Sequence, residues 1–171
     1  MDVHSLMLMF PVAFMVHDFE ELCFLESWIR RNADSIRNKF TGRIWIRLEG
    51  HSTSALGITI MLMFLFVSVT SILSVVFDLY TLFAAALIVF AVHSLFHIVQ
   101  PILLRRYLPA MASSIITLPY SLYVLRTMND QNLFLWRDTT IAAVFFGALT
   151  FAYLGAAGRV GLWVDRQFNG H

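Results

Sequence analysis

His17-Asp18-Phe19-Glu20-Glu21 sets one imidazole and two carboxyls at i, i+3 and i+4, the spacing at which side chains share one face of a helix. His93-Ser94-Leu95-Phe96-His97 sets two imidazoles at i and i+4, so that one helix can offer two nitrogens to one metal ion. Three imidazoles and two carboxyls facing one another would suit a divalent transition metal, as one ion or two. Mixed nitrogen and oxygen ligands point to Zn, Fe or Mn rather than to a soft metal. The candidate ligands are His17, Glu20, Glu21, His93 and His97, with Glu20 and Glu21 also the candidate catalytic acid–base groups. Asp18 lies about 100° round the helix from His17 and is a candidate supporting partner. Glu49 and His51 are further candidates for support, although solvated interface residues is the plainer reading of both. For His4 and His171, single histidines without a partner at helical spacing, hydrogen-bonded packing is the expectation.

The elements that must carry these groups are membrane helices. Of 171 residues, 58% are hydrophobic and only 13% charged, with 16 Phe and 8 Met. A soluble domain carries about a quarter charged residues, so a water-soluble globule is excluded, and so is a basic nucleic-acid-binding face. The one cysteine, Cys23, cannot make an internal disulfide. A helix crossing about 30 Å of hydrocarbon needs roughly 20 mostly apolar residues. Stretches of this kind run over about 55–77, 80–104, 110–125 and 139–158, the third short and expected to kink at Pro119. Residues 5–29 read as one further span despite the acids, because Leu6–Val16 alone reaches only about 16 Å. Trp28 and Arg30–Arg31 give that span an interfacial end. Residues 30–54 then form a cytoplasmic or interfacial segment, with Ile36, Phe40, Trp45 and Leu48 among arginines.

The expected fold is therefore all-α, a single integral membrane bundle of five transmembrane helices. Six of the twelve Lys and Arg residues fall between Arg30 and Arg47. Counting bases by connection puts ten on one side and two on the other, which by the positive-inside rule places the N-terminus outside and the C-terminus inside. The first and third spans then run in the same direction. Measured from Ser5 and Tyr80, His17 and Glu21 lie at nearly the depths of His93 and His97, about 18–26 Å from the outer face. Neither helix alone requires that agreement. Ionisable groups at such depth cost a few kcal/mol each, which makes them functional candidates.

The His17–Glu21 motif resembles the defining motif of the HXXEE-domain family of small bacterial multi-pass membrane proteins. Family members also have histidines in a later helix, as at His93 and His97. They have an Arg-x-Tyr-x-Pro-Gly-like segment, matched by Arg105-Arg106-Tyr107-Leu108-Pro109 with Ala110 in place of Gly, and a later Thr and Pro, matched by Thr117 and Pro119. The similarity covers about residues 10–155. It implies a multi-pass protein of the bacterial cytoplasmic membrane with enzymatic activity, but supplies no reaction.

The chemistry of the residues points first to a metal-dependent membrane enzyme acting on a lipid or other hydrophobic molecule. Zinc would give hydrolysis and iron an oxidation, with three histidines leaning towards hydrolysis or isomerisation. Arg105, Arg106 and Tyr107 serve as interfacial anchors or as a grip on an anionic head group. A proton- or metal-ion-handling transporter subunit and a non-catalytic accessory protein are the alternatives, and assembly into a homo-oligomer stays open.

Overall fold

The computed structural model describes residues 2–39 and 52–169, with side chains given for 2–32 and 52–168. Among these the chain is all-α, as expected. A short α1 (Val3–Leu8) leads into α2 (Phe10–Lys39). Then follow α3 (Thr53–Val76), α4 (Tyr80–Leu104), α5 (Met111–Asp130) and α6 (Trp136–Asn169).

The first expected span is broken at Met9. Pro11 has no N–H to offer the Met7 carbonyl and its ring crowds that turn, so the helix restarts at Phe10, where proline in the first turn is tolerated. Asp2 caps α1 by accepting from the Ser5 N–H at 2.8 Å. At its far end α2 runs on to Lys39, ten residues past the expected boundary, and so takes up much of the segment assigned to the interface. Helices α5 and α6 are also longer than expected, α6 by three residues at its start and eleven at its end. The α3–α4 turn lies where expected, at Asp78, with φ 54.

Helices α3, α4 and α6 are long and apolar enough to cross a membrane. Helices α2 and α5 are less apolar, and their polar groups point inward. Along α2, Val12, Val16 and Phe19 are exposed while Phe14, His17 and Asp18 are buried. Along α5, Ile115, Ile116, Leu122 and Tyr123 are exposed while Ser113, Ser114, Thr117 and Ser121 are buried. This is the reverse of a water-soluble helix.

The five long helices close a ring in the order α2, α3, α6, α4, α5, each packed on the next. Across it, α2 and α4 are bridged by side chains: the Phe10 ring meets Phe83 and Phe90 edge-on at 5.7 and 5.3 Å, and Phe14 meets Phe90 at 5.9 Å. Tyr120 on α5 donates to the Leu6 carbonyl at 2.7 Å and Tyr153 on α6 to that of Leu62 at 3.1 Å. His4 bonds the Tyr80 hydroxyl at 3.0 Å, a packing role as expected.

The α3–α6 crossing depends on Gly161. A Cβ there would lie 2.4 Å from the Ala55 carbonyl oxygen and 2.8 Å from Thr59 Oγ1. Such close approach of two backbones is what small residues allow in membrane interfaces. Gly161→Ala is expected to push α6 off α3 and to cost about 1–3 kcal/mol, the usual range for overpacking. The check is the thermal melting of the purified variant, for which Gly155→Ala is the control, since nothing lies within 4 Å of a Cβ at Gly155.

Candidate metal centre and cavity

The histidines from α2 and α4 come together. The His17 ring centroid lies 5.1 Å from His93 and 4.9 Å from His97, and those two lie 4.6 Å apart. One ring nitrogen from each falls within 4.8 Å of the others. A tetrahedral zinc with bonds of about 2.0–2.1 Å needs its nitrogens about 3.4 Å apart, so side-chain rotations of about an ångström would close the group.

The hydrogen bonds around His17 decide which nitrogen it offers. Ser114 Oγ donates to the Ala110 carbonyl at 2.6 Å, and Ser113 Oγ to the same oxygen at 3.3 Å. A hydroxyl has one proton. Against His17 Nδ1, 3.3 Å from Ser114 and 3.4 Å from Ser113, these oxygens therefore accept, and Nδ1 carries the ring hydrogen. The lone pair is left on Nε2, which is buried without a partner. His97 Nδ1 is likewise buried and unpartnered. Metal-binding histidines are commonly held this way, one nitrogen fixed by a neighbour and the other free for the ion.

Glu20 lies apart from this group. Its carboxylate accepts from the backbone N–H of Ser113 at 2.6 Å and of Ala112 at 3.2 Å, and from the Tyr107 hydroxyl. Ala112 and Ser113 open α5, whose own N-cap residue, Ala110, makes no side-chain cap. Glu20 thus caps α5 from a different helix, where the exposed N–H groups favour a negative charge. Ala110 has φ 69, the left-handed conformation that glycine adopts without strain, which accounts for the Gly of the family's pattern at this position.

Desolvation and then the bond to Glu20 push the Tyr107 hydroxyl up to about 12. The Trp28 indole donates to the Tyr107 carbonyl at 2.6 Å, and Arg106 donates to the Asn32 side chain at 3.2 Å. Two of the three expected head-group residues therefore dock the α4–α5 connection on α2. Arg105, at φ 52, ends α4 and stays exposed.

Glu21 interacts electrostatically with His97, and Asp18 with Glu21. Asp18, Glu21 and His93 line a cavity of about 370 Å³ between α2, α3, α4 and α6, open on one side. Its remaining walls are chiefly apolar, including Phe10, Phe14, Phe66, Phe90, Phe146 and Phe151. His93 is exposed and also lines this space. Cys23 is exposed. Glu49, His51 and His171 lie outside the described residues.

Sequence reasoning missed the serine pair and the α6 wall of the cavity. The signal for the first was present: adjacent serines just after Pro109-Ala110, on a helix otherwise suited to lipid. Removing the cap tests this arrangement. Glu20→Ala strands two backbone donors and the Tyr107 hydroxyl and is expected to cost about 2 kcal/mol. Thermal melting should show this loss, with partial recovery in Glu20→Gln, which keeps an acceptor.

The family described as "Protein of unknown function with HXXEE motif" matches residues 8–124, well over half of the chain and including all of the histidines and carboxyls of the site. No curated protein and no solved structure matches. His17, Glu20 and Glu21 are the lettered positions of that motif, and the chain belongs to the HXXEE family.

Proposed function

We propose that the protein is a metal-dependent membrane hydrolase, with one zinc ion held by His17, His93 and His97 and a hydrophobic substrate bound in the adjoining cavity. The observation that carries this reading is the convergence of three imidazoles, two with buried unpartnered nitrogens, at a largely apolar cavity. Three histidines leave a tetrahedral ion one open position, and the ion would supply a bound water acidified to near pH 7. Glu21, which lines the cavity, would be the group that holds the proton so released. The apolar walls hold the substrate's chain and exclude bulk water. Glu20 keeps α5 and its two serines in register with His17 and takes no part as a ligand.

The same reading puts all five long helices across the membrane, with the N-terminus outside. Helices α2 and α5 cross by turning their polar groups to the interior and their apolar faces to lipid. The concentration of bases between Arg30 and Arg47 supports that direction.

Two measurements test these statements. Purified protein should contain close to one zinc per chain by mass spectrometry, and a folded His93→Ala/His97→Ala variant should contain none. Iron instead of zinc would turn the reading to oxidation, and no metal after reloading would overturn it. Reporter fusions after Asn132 and at the C-terminus should report opposite sides, with the C-terminus inside; the same side for both would refute the five-span topology.

A further inference from the structure

Asp18 is used by neither the cap on α5 nor the histidine group. Its side chain is 7% exposed and lines the cavity, and among the described residues it has no hydrogen bond and no cationic partner. Glu21, which lines the same cavity, is another carboxyl. A buried carboxyl facing a second one is unfavourable unless a donor or a cation completes it. From α6, Thr150 lines the same cavity, and its hydroxyl oxygen is buried without a partner. Thr59 and Thr70 differ, since each bonds a carbonyl of its own helix. Among the described residues no Arg or Lys lines the cavity, and His93 is the one basic side chain there.

We propose that the cavity binds a single-chain amphiphile with a cationic head, a long-chain primary amine, its ammonium against Asp18 and Glu21 and its chain among the phenylalanine rings. This rests on the reading of the cavity as the chamber of a hydrolase, in which the amine is the product left when the C–N bond of an N-alkyl amide is hydrolysed, the acyl group leaving as a carboxylate and the nitrogen taking the proton that Glu21 held. An ammonium has three N–H donors, and Asp18, Glu21 and Thr150 supply three acceptors. A fatty carboxylate or a phosphate would bring a further negative charge against the two acids, where the lining offers His93 but no Arg or Lys. The size also selects. At water's share of about 30 Å³ each, 370 Å³ holds about a dozen non-hydrogen atoms, one chain rather than two.

The test is thermal melting of the full chain in phosphatidylcholine nanodiscs with dodecylamine, dodecanol or laurate added. Dodecylamine should raise the melting temperature by several degrees, dodecanol by less, and laurate not at all. In Asp18→Asn the dodecylamine shift should fall to that of dodecanol. Without ligand, Asp18→Asn should melt no lower than the wild type, whereas a purely structural carboxylate would lower it. Laurate stabilising as well as dodecylamine, or an undiminished dodecylamine shift in Asp18→Asn, would overturn the proposal. Zinc content measured on the same preparations separates the two readings: an amine shift in protein that takes up no zinc upholds the head-group site and overturns only the metal centre. Stoichiometric zinc with no amine shift does the reverse.

Discussion

The Ala110 carbonyl accepts both serine hydroxyls of the first turn of α5, and much else follows from that. With their protons committed, Ser113 and Ser114 can only accept from His17, which fixes the imidazole tautomer and turns its basic nitrogen toward the other two histidines. Ala110 is held in the left-handed region, at φ 69, and the two N–H groups that follow Met111 are taken by Glu20. The histidine and the first glutamate of the motif thus meet one turn of one helix. The imidazole reads its side chains and the carboxylate reads its backbone.

An interior this polar is costly in a membrane helix bundle, and the structure limits the cost unevenly. Away from the site, hydroxyls bond to their own helices, as Ser71 does to Val67 and Ser121 to Thr117, or pair between helices, as Ser94 does with Thr117 at 3.3 Å. Around the cavity the pattern changes. His17 Nε2, His97 Nδ1 and Thr150 Oγ1 are buried with no partner. Each such group costs about 1–3 kcal/mol. Ser68, Ser74 and Thr139 also hold unpartnered oxygens, so an orphan group alone does not mark a site. What marks this one is that the two orphan imidazoles stand in one group with His93, and His93 lines the cavity that Thr150 also lines.

The all-helical fold and the meeting of His17 with His93 and His97 were legible in the sequence, because they follow from apolar length and helical spacing. Matching depth was enough to bring together residues far apart in the chain. Glu20 was not legible. Spacing put it on the face of His17, and it does lie near that ring, but its reach was settled by α5, whose start lacks a side-chain cap of its own. The ends of α2 and α6 were not legible either. The loss of apolar character marks where lipid ends, whereas a helix continues for as long as its backbone bonds and contacts favour it. Gly161 shows the difference: it lies beyond the expected end of its span, yet it carries the closest contact between α3 and α6.

The spacing of α2 and α4 explains why the site lies where it does. Each is packed on other neighbours, α2 on α3 and α5, α4 on α5 and α6, so the two stand apart and the gap must be filled by large side chains. Over the part of α2 nearest its start the filling is aromatic, through Phe10 and Phe14 against Phe83 and Phe90. One to two turns further on, the same gap holds His17 against Phe90, His93 and His97. Imidazoles there occupy the positions that rings occupy above them, and they pack edge-on in the same manner. Packing alone would be satisfied by phenylalanine at all three positions, without the cost of buried nitrogens. Histidine in their place, with its tautomer set by a serine pair and its free nitrogen turned inward, is the arrangement expected where the gap has to bind something as well as close.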